Sequence, residues 1–358
     1  MWTEGGEQVE SAVAGAVAAL RTAVDRDWEG ARAAGLEWSV RDTAVHVAEC
    51  LVAYAGQLTG RAADSYVPFE LVLEDGAGND GTLRVVEAMG GLLTAAVRTT
   101  PREVRAFHPY PFRSANRDGF AAMGVAEVLL HTHDMARALD VAYTPPADLC
   151  AYVLTRIFPH VRPAADPWAT LLWATGRGEL PGRAPVTAWK WCNNLVLDTE
   201  RLTLEGVTPA AASDLALGGD GGLDWAGDGP ADGTRVGAGL VAKAYEAGTH
   251  RPQWGTYALV RRADGLAVGA MGFHDAPDED GRVEIGYDLV PAARGHGYAT
   301  EALRALSAWA LEQPGVSRVL ALVEAENLAS RAVVGRAGFR QVSDGSADGQ
   351  PLAFELRR

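Results

Sequence analysis

The rhythm of apolar positions changes once along this chain, shortly before residue 200. From Val9 to Asp25, valines, alanines and leucines recur at helical spacing with no breaker after Gly15, which predicts a first helix. A second is expected after Trp38, where Ser39 can cap the free amides and Asp42 sits favourably in the first turn; its apolar face runs through Val45, His46, Cys50 and Leu51 toward Gln57. Residues 60–81 read as a loop, because Gly76, Gly78 and Gly81 interrupt any period. A third helix over Leu83–Thr99 stops at Pro101, and Pro109 and Pro111 bar a regular helix from FHPYPFR. A fourth spans about Gly119 to Leu139 and a fifth about Pro146 to Phe158. Helices joined by short turns predict an all-α, up-and-down four-helix bundle.

Trp168 to Leu197 alternates Pro, Gly and Trp and reads as a tail packed on that bundle. After it the period shortens to two: RLTLEGV, WGTYALVRR and AVGAMGFH alternate as strands do. Strands interleaved with helical runs predict an α/β sheet. Two domains are therefore expected, residues 1–197 and 198–358, each long enough to bury its own core.

Charge narrows the partners. With a formal net charge of −14, the surface attracts neither nucleic acid nor an anionic membrane, and a small neutral or cationic substrate fits better. Cys50, Cys150 and Cys192 are odd in number and widely spaced, which indicates buried reduced thiols rather than a disulfide framework or a thiolate zinc cluster. The acidic start MWTEGGEQVE is not a signal peptide and no run is long and apolar enough for a bilayer, so a cytoplasmic protein is expected. Nothing in the pattern fixes the oligomeric state.

Two stretches carry chemistry. The first is EIGYDLVPAARGHGYATEAL, Glu284 to Leu303: a strand, a Pro, a turn with Gly295 and Gly297, then a helical pattern. Unpaired amides at a helix start stabilise an anion, glycines let a ligand approach the backbone, and Arg294 adds charge, so a pyrophosphate fits. On bare residues an ordinary glycine turn before a surface helix fits equally well.

RGHGYA, with Arg294, Gly297 and Ala299 in the fixed positions, resembles the Arg/Gln-x-x-Gly-x-Gly/Ala signature of the GCN5-related N-acetyltransferases (GNAT). ENLASRAVVGRAGF, with Asn327, Ser330, Gly338 and Phe339, resembles that family's second hallmark. The resemblance runs from about Arg201 onward and is nearest the ribosomal-protein alanine acetyltransferase branch. It implies a GNAT acyl-CoA N-acyltransferase fold with a mixed, splayed sheet, and acetyl-CoA as donor to a primary amine on a small molecule or peptide. In that reading Arg294, Gly295, His296, Gly297, Tyr298 and Ala299 surround the diphosphate, Leu289 and Val290 offer backbone groups to the pantetheine, and Asn327 serves the pantetheine arm or the surroundings of Ser330.

A protonated amine needs a base before it attacks a thioester, and Glu284, on the strand before the turn, is the candidate; His274, His250 and His296 are alternatives by chemistry. Many family members place a tyrosine acid seven residues after the asparagine, where this chain has Val334. Ser330 fits the pattern of the ribosomal alanine branch, where a serine takes the acid role, and a helix-capping hydroxyl is its structural alternative. The glycine-rich, acidic run from Gly218 to Thr249 either covers the acceptor, with Asp224, Trp225 and Asp228 meeting a cationic amine, or is a mobile loop.

The second stretch is AEVLLHTHDMARAL. Glu127 and His131 lie four apart on one helical face, and with His46 from the second helix they make three donors with open positions, as a catalytic divalent ion, zinc-like in preference, requires. A solvated Glu/His face and a core His46 satisfied by a carbonyl are the plain alternatives. WSVRDTAVHVAECL, EVLLHTHDMARAL and LLWATGRGELPGR resemble the N-terminal domain of mycothiol-dependent maleylpyruvate isomerase and its DinB-like relatives. That resemblance assigns the metal to His46, Glu127 and His131 and implies thiol chemistry with mycothiol; a non-catalytic module that senses a ligand or metal is the alternative. Asp134 either orients a ligand or binds water, and Arg113, Arg117 and Arg137 either receive an anionic substrate or, the plainer reading, are simply exposed.

Overall fold

The computed structural model describes residues 5–109, 112–343 and 351–358, in two compact units, Met1–Asn193 and Asn194–Arg358. Unit 1 is helical: α1 Gly6–Arg21, α2 Val40–Gly60, α3 Asn79–Thr99, α4 Arg117–Ala138, α5 Ala147–Ile157 and α6 Pro167–Ala174, with a short antiparallel pair, β1 Arg105–Ala106 and β2 Ala115–Asn116. Ser39 caps α2 as its sequence position foretold, its hydroxyl accepting from the Asp42 amide at 3.0 Å while donating to the Asp42 carboxylate at 2.7 Å.

Four helices form a bundle, but not in the sequential order of an up-and-down arrangement. Both α1 and α2 pack on α3 and on α4, which places α1 and α2 diagonally. The connections 22–39 and 61–78 are long enough to cross the bundle end, whereas an up-and-down order needs short turns. The centre is α4, whose residues from Gly119 to Ala136 are buried on almost every side. Gly124 permits this, since a Cβ there would stand 2.5 Å from Leu93 of α3.

Helix α6 falls where a tail was expected. Pro167 is its first residue and the Asp166 carboxylate accepts from the amides of Trp168 (2.9 Å) and Ala169 (3.3 Å), so a capped proline opens a helix here. In FHPYPFR, Tyr110 and Pro111 lie outside the described residues, and Phe107 to Pro109 are not helical.

Unit 2 is a mixed eight-stranded sheet ordered β3-β4-β5-β6-β7-β8-β10-β9, from β3 Val196–Asp198, β4 Leu202–Gly206, β5 Thr256–Arg261, β6 Ala267–Phe273, β7 Arg282–Leu289, β8 Arg318–Val323, β9 Arg340–Ser343 and β10 Leu352–Arg357. Its helices are α7 Pro209–Ala216, α8 Asp232–Ala247, α9 Tyr298–Glu312 and α10 Leu328–Ala337. Every neighbouring pair is antiparallel except β7 and β8, which run parallel for three residue pairs only, Arg282↔Arg318 to Glu284↔Leu320. Beyond Glu284, β7 stays with β6 and β8 stays with β10, so the sheet opens between them. Among the described residues no helix is long and apolar enough to cross a membrane.

Candidate functional site

Strand β7 sorts its residues by parity. His274 donates its amide to Glu284 and Val290 donates to Val268, so the even-numbered residues of β7 spend their backbone groups on β6. Ile285, Tyr287 and Leu289 therefore turn theirs toward the opened side. Side chains alternate in step: Glu284, Gly286 and Asp288 share the face on which α8 packs, and Tyr287 shares the opposite face with α10.

The glycine turn closes the open end. Gly295 (φ 79°) and Gly297 (φ 83°) occupy the left-handed region, and Gly297 is the N-cap of α9 with no side-chain cap. Among the described residues the amides of residues 295–300 donate to no protein acceptor; the next, Glu301, donates to Gly297. The Thr300 hydroxyl beside them is buried and equally unpartnered. Unpaired amides are common to helix starts; here the left-handed glycines on either side of exposed His296 leave a consecutive row of them uncovered, which fits a diphosphate.

Arg201, just before β4, belongs to this turn although no motif contains it. It pairs with Glu301 at 2.7 Å, donates to the His296 carbonyl at 2.8 Å and lies 4.8 Å over the Tyr298 ring. His296 stacks on Tyr298, with Nδ1 2.8 Å from the Arg294 carbonyl. Arg294 is less free than expected, donating to the Leu289 carbonyl at 3.1 Å and pairing with Asp288 at 3.5 Å. Val290, expected to serve pantetheine, has its amide taken by Val268 (3.1 Å) and its carbonyl by Ala293 (2.9 Å), because it falls on the β6-facing parity. Leu289 keeps the open-side orientation.

On the α8 face, Glu284 Oε1 lies 2.8 Å from His274 Nδ1, which joins the candidate base to one of its named alternatives. The other ring nitrogen of His274 sits over Gly286, where a Cβ would stand 2.9 Å from Nε2. Across the strand, Asn327 caps α10 by accepting from the Ser330 amide (2.9 Å), and the Ser330 hydroxyl meets the Tyr287 hydroxyl at 2.6 Å. Ser330 is thus not the helix cap. Trp225 packs beside Val207 and donates its indole N–H to the Asp220 carbonyl, while the neighbouring backbone of Asp224 and Ala226 pairs with Ala267; this part of the acidic run is docked on the sheet.

Unit 1 gathers its own polar cluster. His46, Glu127 and His131 offer donor atoms all within 4.8 Å of one another. Glu127 Oε2 faces both rings, 3.8 Å from His46 Nε2 and 3.2 Å from His131 Nε2, and Oε1 accepts from the Tyr54 hydroxyl at 3.2 Å. Ligand atoms at the about 2.0–2.1 Å bond lengths of tetrahedral zinc stand about 3.3 Å apart, so these side chains, with donor atoms up to 4.8 Å apart, would have to draw together to hold an ion. Burial works to raise Glu127, but the two rings and Tyr54 outweigh it and hold the carboxyl below its ordinary value. Burial lowers His46; on His131 it is overcome by Asp134 and Glu127, which lift that ring to about 8.

Asp134 stands 3.3 Å from His131 Nδ1 and is fixed by Arg177 (3.0 and 2.9 Å), a residue whose part the sequence did not single out. Trp38, 45% exposed, lies 4.8 Å from the His46 ring, and Cys50 Sγ 3.5 Å from His46 Nε2; burial pushes that thiol well up. Arg113 lies over Phe107 and Arg117 donates to the Thr100 carbonyl.

Comparison with known proteins bears on unit 2. Residues 201–340 match the acetyltransferase (GNAT) domain model, and residues before 201 lie outside that match. The chain is similar to the uncharacterized N-acetyltransferase YjdG of Bacillus subtilis, 37% identical over 84 residues (24% of this chain, 50% of that protein). It is also similar to the uncharacterized N-acetyltransferase YoaA of the same organism, 30% identical over 89 residues (25% and 49%). The chain thus spans about half the length of the curated relatives it matches. A solved structure of a GnaT-family acetyltransferase from Bordetella pertussis aligns at 29% identity and TM-score 0.33 over 45% of this chain and 99% of that one.

Proposed function

We propose that this protein is an acetyl-CoA-dependent N-acetyltransferase, acting through unit 2 on a primary amine carried by a small molecule or a peptide. The observation that carries it is the row of unpartnered amides, residues 295–300, at the mouth of the β7–β8 opening. The diphosphate of acetyl-CoA would accept from those amides, Arg201 would brace the turn through Glu301 and the His296 carbonyl, and the acyl arm would run past Leu289 toward Tyr287 and Ser330. On the other face of β7, Glu284 holds His274 through Nδ1, leaving Nε2 to take a proton from the incoming ammonium. Base and acid thus approach the reacting atoms from opposite faces of one strand. Calorimetry with acetyl-CoA is expected to give micromolar binding, about −8 kcal/mol. A panel of primary amines, mixing small polyamines with peptide N-termini, is expected to release free thiol; no binding together with no release would overturn the reading.

A second reading concerns unit 1. His46, Glu127 and His131 are proposed to hold a zinc-like divalent ion with Asp134 orienting His131, as the resemblance to the mycothiol-dependent, DinB-like domain implies. Such an ion, when bound, lowers the pKa of a coordinated thiol. The alternative is a module that senses a metal or ligand without turnover. Elemental analysis should find one ion per chain, His46→Ala should lose it, and Asp134→Asn should weaken it about 10- to 100-fold. No metal in the native protein after dialysis against zinc would discard this reading. If His46→Ala loses the ion yet acetylates at the native rate, the bundle is independent of the transferase.

A further inference from the structure

Tyr287 belongs to neither motif, yet it stands where the chemistry would end. Its hydroxyl lies 2.6 Å from Ser330 Oγ and 3.3 Å from the Ser330 carbonyl. It sits on β7 past Glu284, where the pairing with β8 has stopped, and Ser330 is in the first turn of the helix that follows β8. The pair joins β7 to the helix that follows β8.

Resting on the acetyltransferase reading, we propose that Tyr287 supplies, through Ser330, the proton that the departing thiolate needs. A serine acting alone would be left as an alkoxide, a far stronger base than the thiolate it served. With the phenol behind it, the charge ends on an oxygen whose ordinary pKa, about 10, lies far below an alcohol's and nearer the about 8.5 of a thiol. The nitrogen lone pair forms the C–N bond and the C–S bond breaks with its electrons going to sulfur. Sulfur takes the Ser330 proton as Ser330 takes that of Tyr287, while the nitrogen, positively charged once the C–N bond has formed, gives its second proton to solvent; the phenolate recovers one proton from water, so of the two protons that leave the nitrogen one is matched by the new S–H and one is released. Burial raises the Tyr287 hydroxyl above that ordinary value, against the lowering effects of the Ser330 hydrogen bond and of Arg336, so it keeps its proton at neutral pH until the departing thiolate draws on it through Ser330. Tyr287 acts through the serine, so its part is to hold and recharge that hydroxyl.

The test uses the full-length protein and whichever amine of the panel releases thiol fastest. Tyr287→Phe is expected to lower kcat with acetyl-CoA about 10- to 100-fold while KM for acetyl-CoA changes less than about twofold. With the acetyl thioester of an electron-poor aromatic thiol, which leaves without a proton, variant and native rates should converge to within about threefold. Ser330→Ala should behave alike, and the double variant should be no slower than either single one. Equal losses on both thioesters, or full activity of Tyr287→Phe with acetyl-CoA, overturn the assignment while the acetyltransferase reading stands. Absence of turnover in the native protein removes both. Should Tyr287→Phe melt early, Tyr287→Met read on the same two thioesters decides instead.

Discussion

Gly297→Val is expected to abolish measurable coenzyme A binding. The residue sits at φ 83°, where a β-branched side chain is a severe outlier, and any Cβ there would stand 3.3 Å from the Arg201 guanidinium. Relief requires the turn to rotate, which carries away the amides of residues 295–300 and breaks the Arg201 bond to the His296 carbonyl. A hydrogen bond to a charged acceptor contributes about 1.5–3 kcal/mol, so losing two costs about 3–6 kcal/mol, or about two to four decades in Kd. Gly297→Ala should fall between, since a single left-handed residue costs about 1–2 kcal/mol. Calorimetry with coenzyme A reads both. A Kd for Gly297→Val within about threefold of native, in a protein that melts normally, would mean that these amides do not hold the ligand.

The second large effect falls on the other face of β7. Glu284→Gln and His274→Ala are each expected to lower kcat at neutral pH by about two to three decades, with KM for acetyl-CoA little changed. At 2.8 Å, Glu284 fixes the ring so that Nε2 stands over Gly286, and a glutamine no longer selects that tautomer. The losses should not add in the double variant, because both remove one device. They should also shrink as pH rises toward the pKa of the acceptor amine, where less of it needs deprotonating. If Glu284→Gln is impaired and His274→Ala is not, the carboxylate acts directly, as the sequence alone proposed. If neither matters, the base lies elsewhere.

These expectations separate what can be read along a chain from what cannot. The glycine turn, the cap at Ser39 and the i, i+4 pair of Glu127 and His131 were legible because each is local, set by residues within one or two turns. Arg201 was not: it reaches Glu301 and His296 across about a hundred positions, and no short pattern carries such a contact. Tyr287 was hidden for the same reason, as an aromatic residue in a strand that reads only as packing. The pairing of the Val290 amide and carbonyl within the protein was not legible because strand parity, which decides where a backbone group points, depends on the register with β6. The helix at Pro167 was missed because it is only eight residues long and is followed by the Pro-, Gly- and Trp-rich segment it was read with, while the Asp166 cap that opens it lies just before that segment.

By itself, then, the sequence determined two units, their helical and strand periods, and the residue types able to bind a diphosphate or a metal. Those follow from torsional preference and spacing, which act over a few residues. Tertiary structure decided the order of helices round the bundle, the point at which β7 and β8 part, and the pairing of Glu284 with His274 and of Tyr287 with Ser330. Such contacts are selected by packing over the whole core, and a chain read in one dimension does not contain that sum.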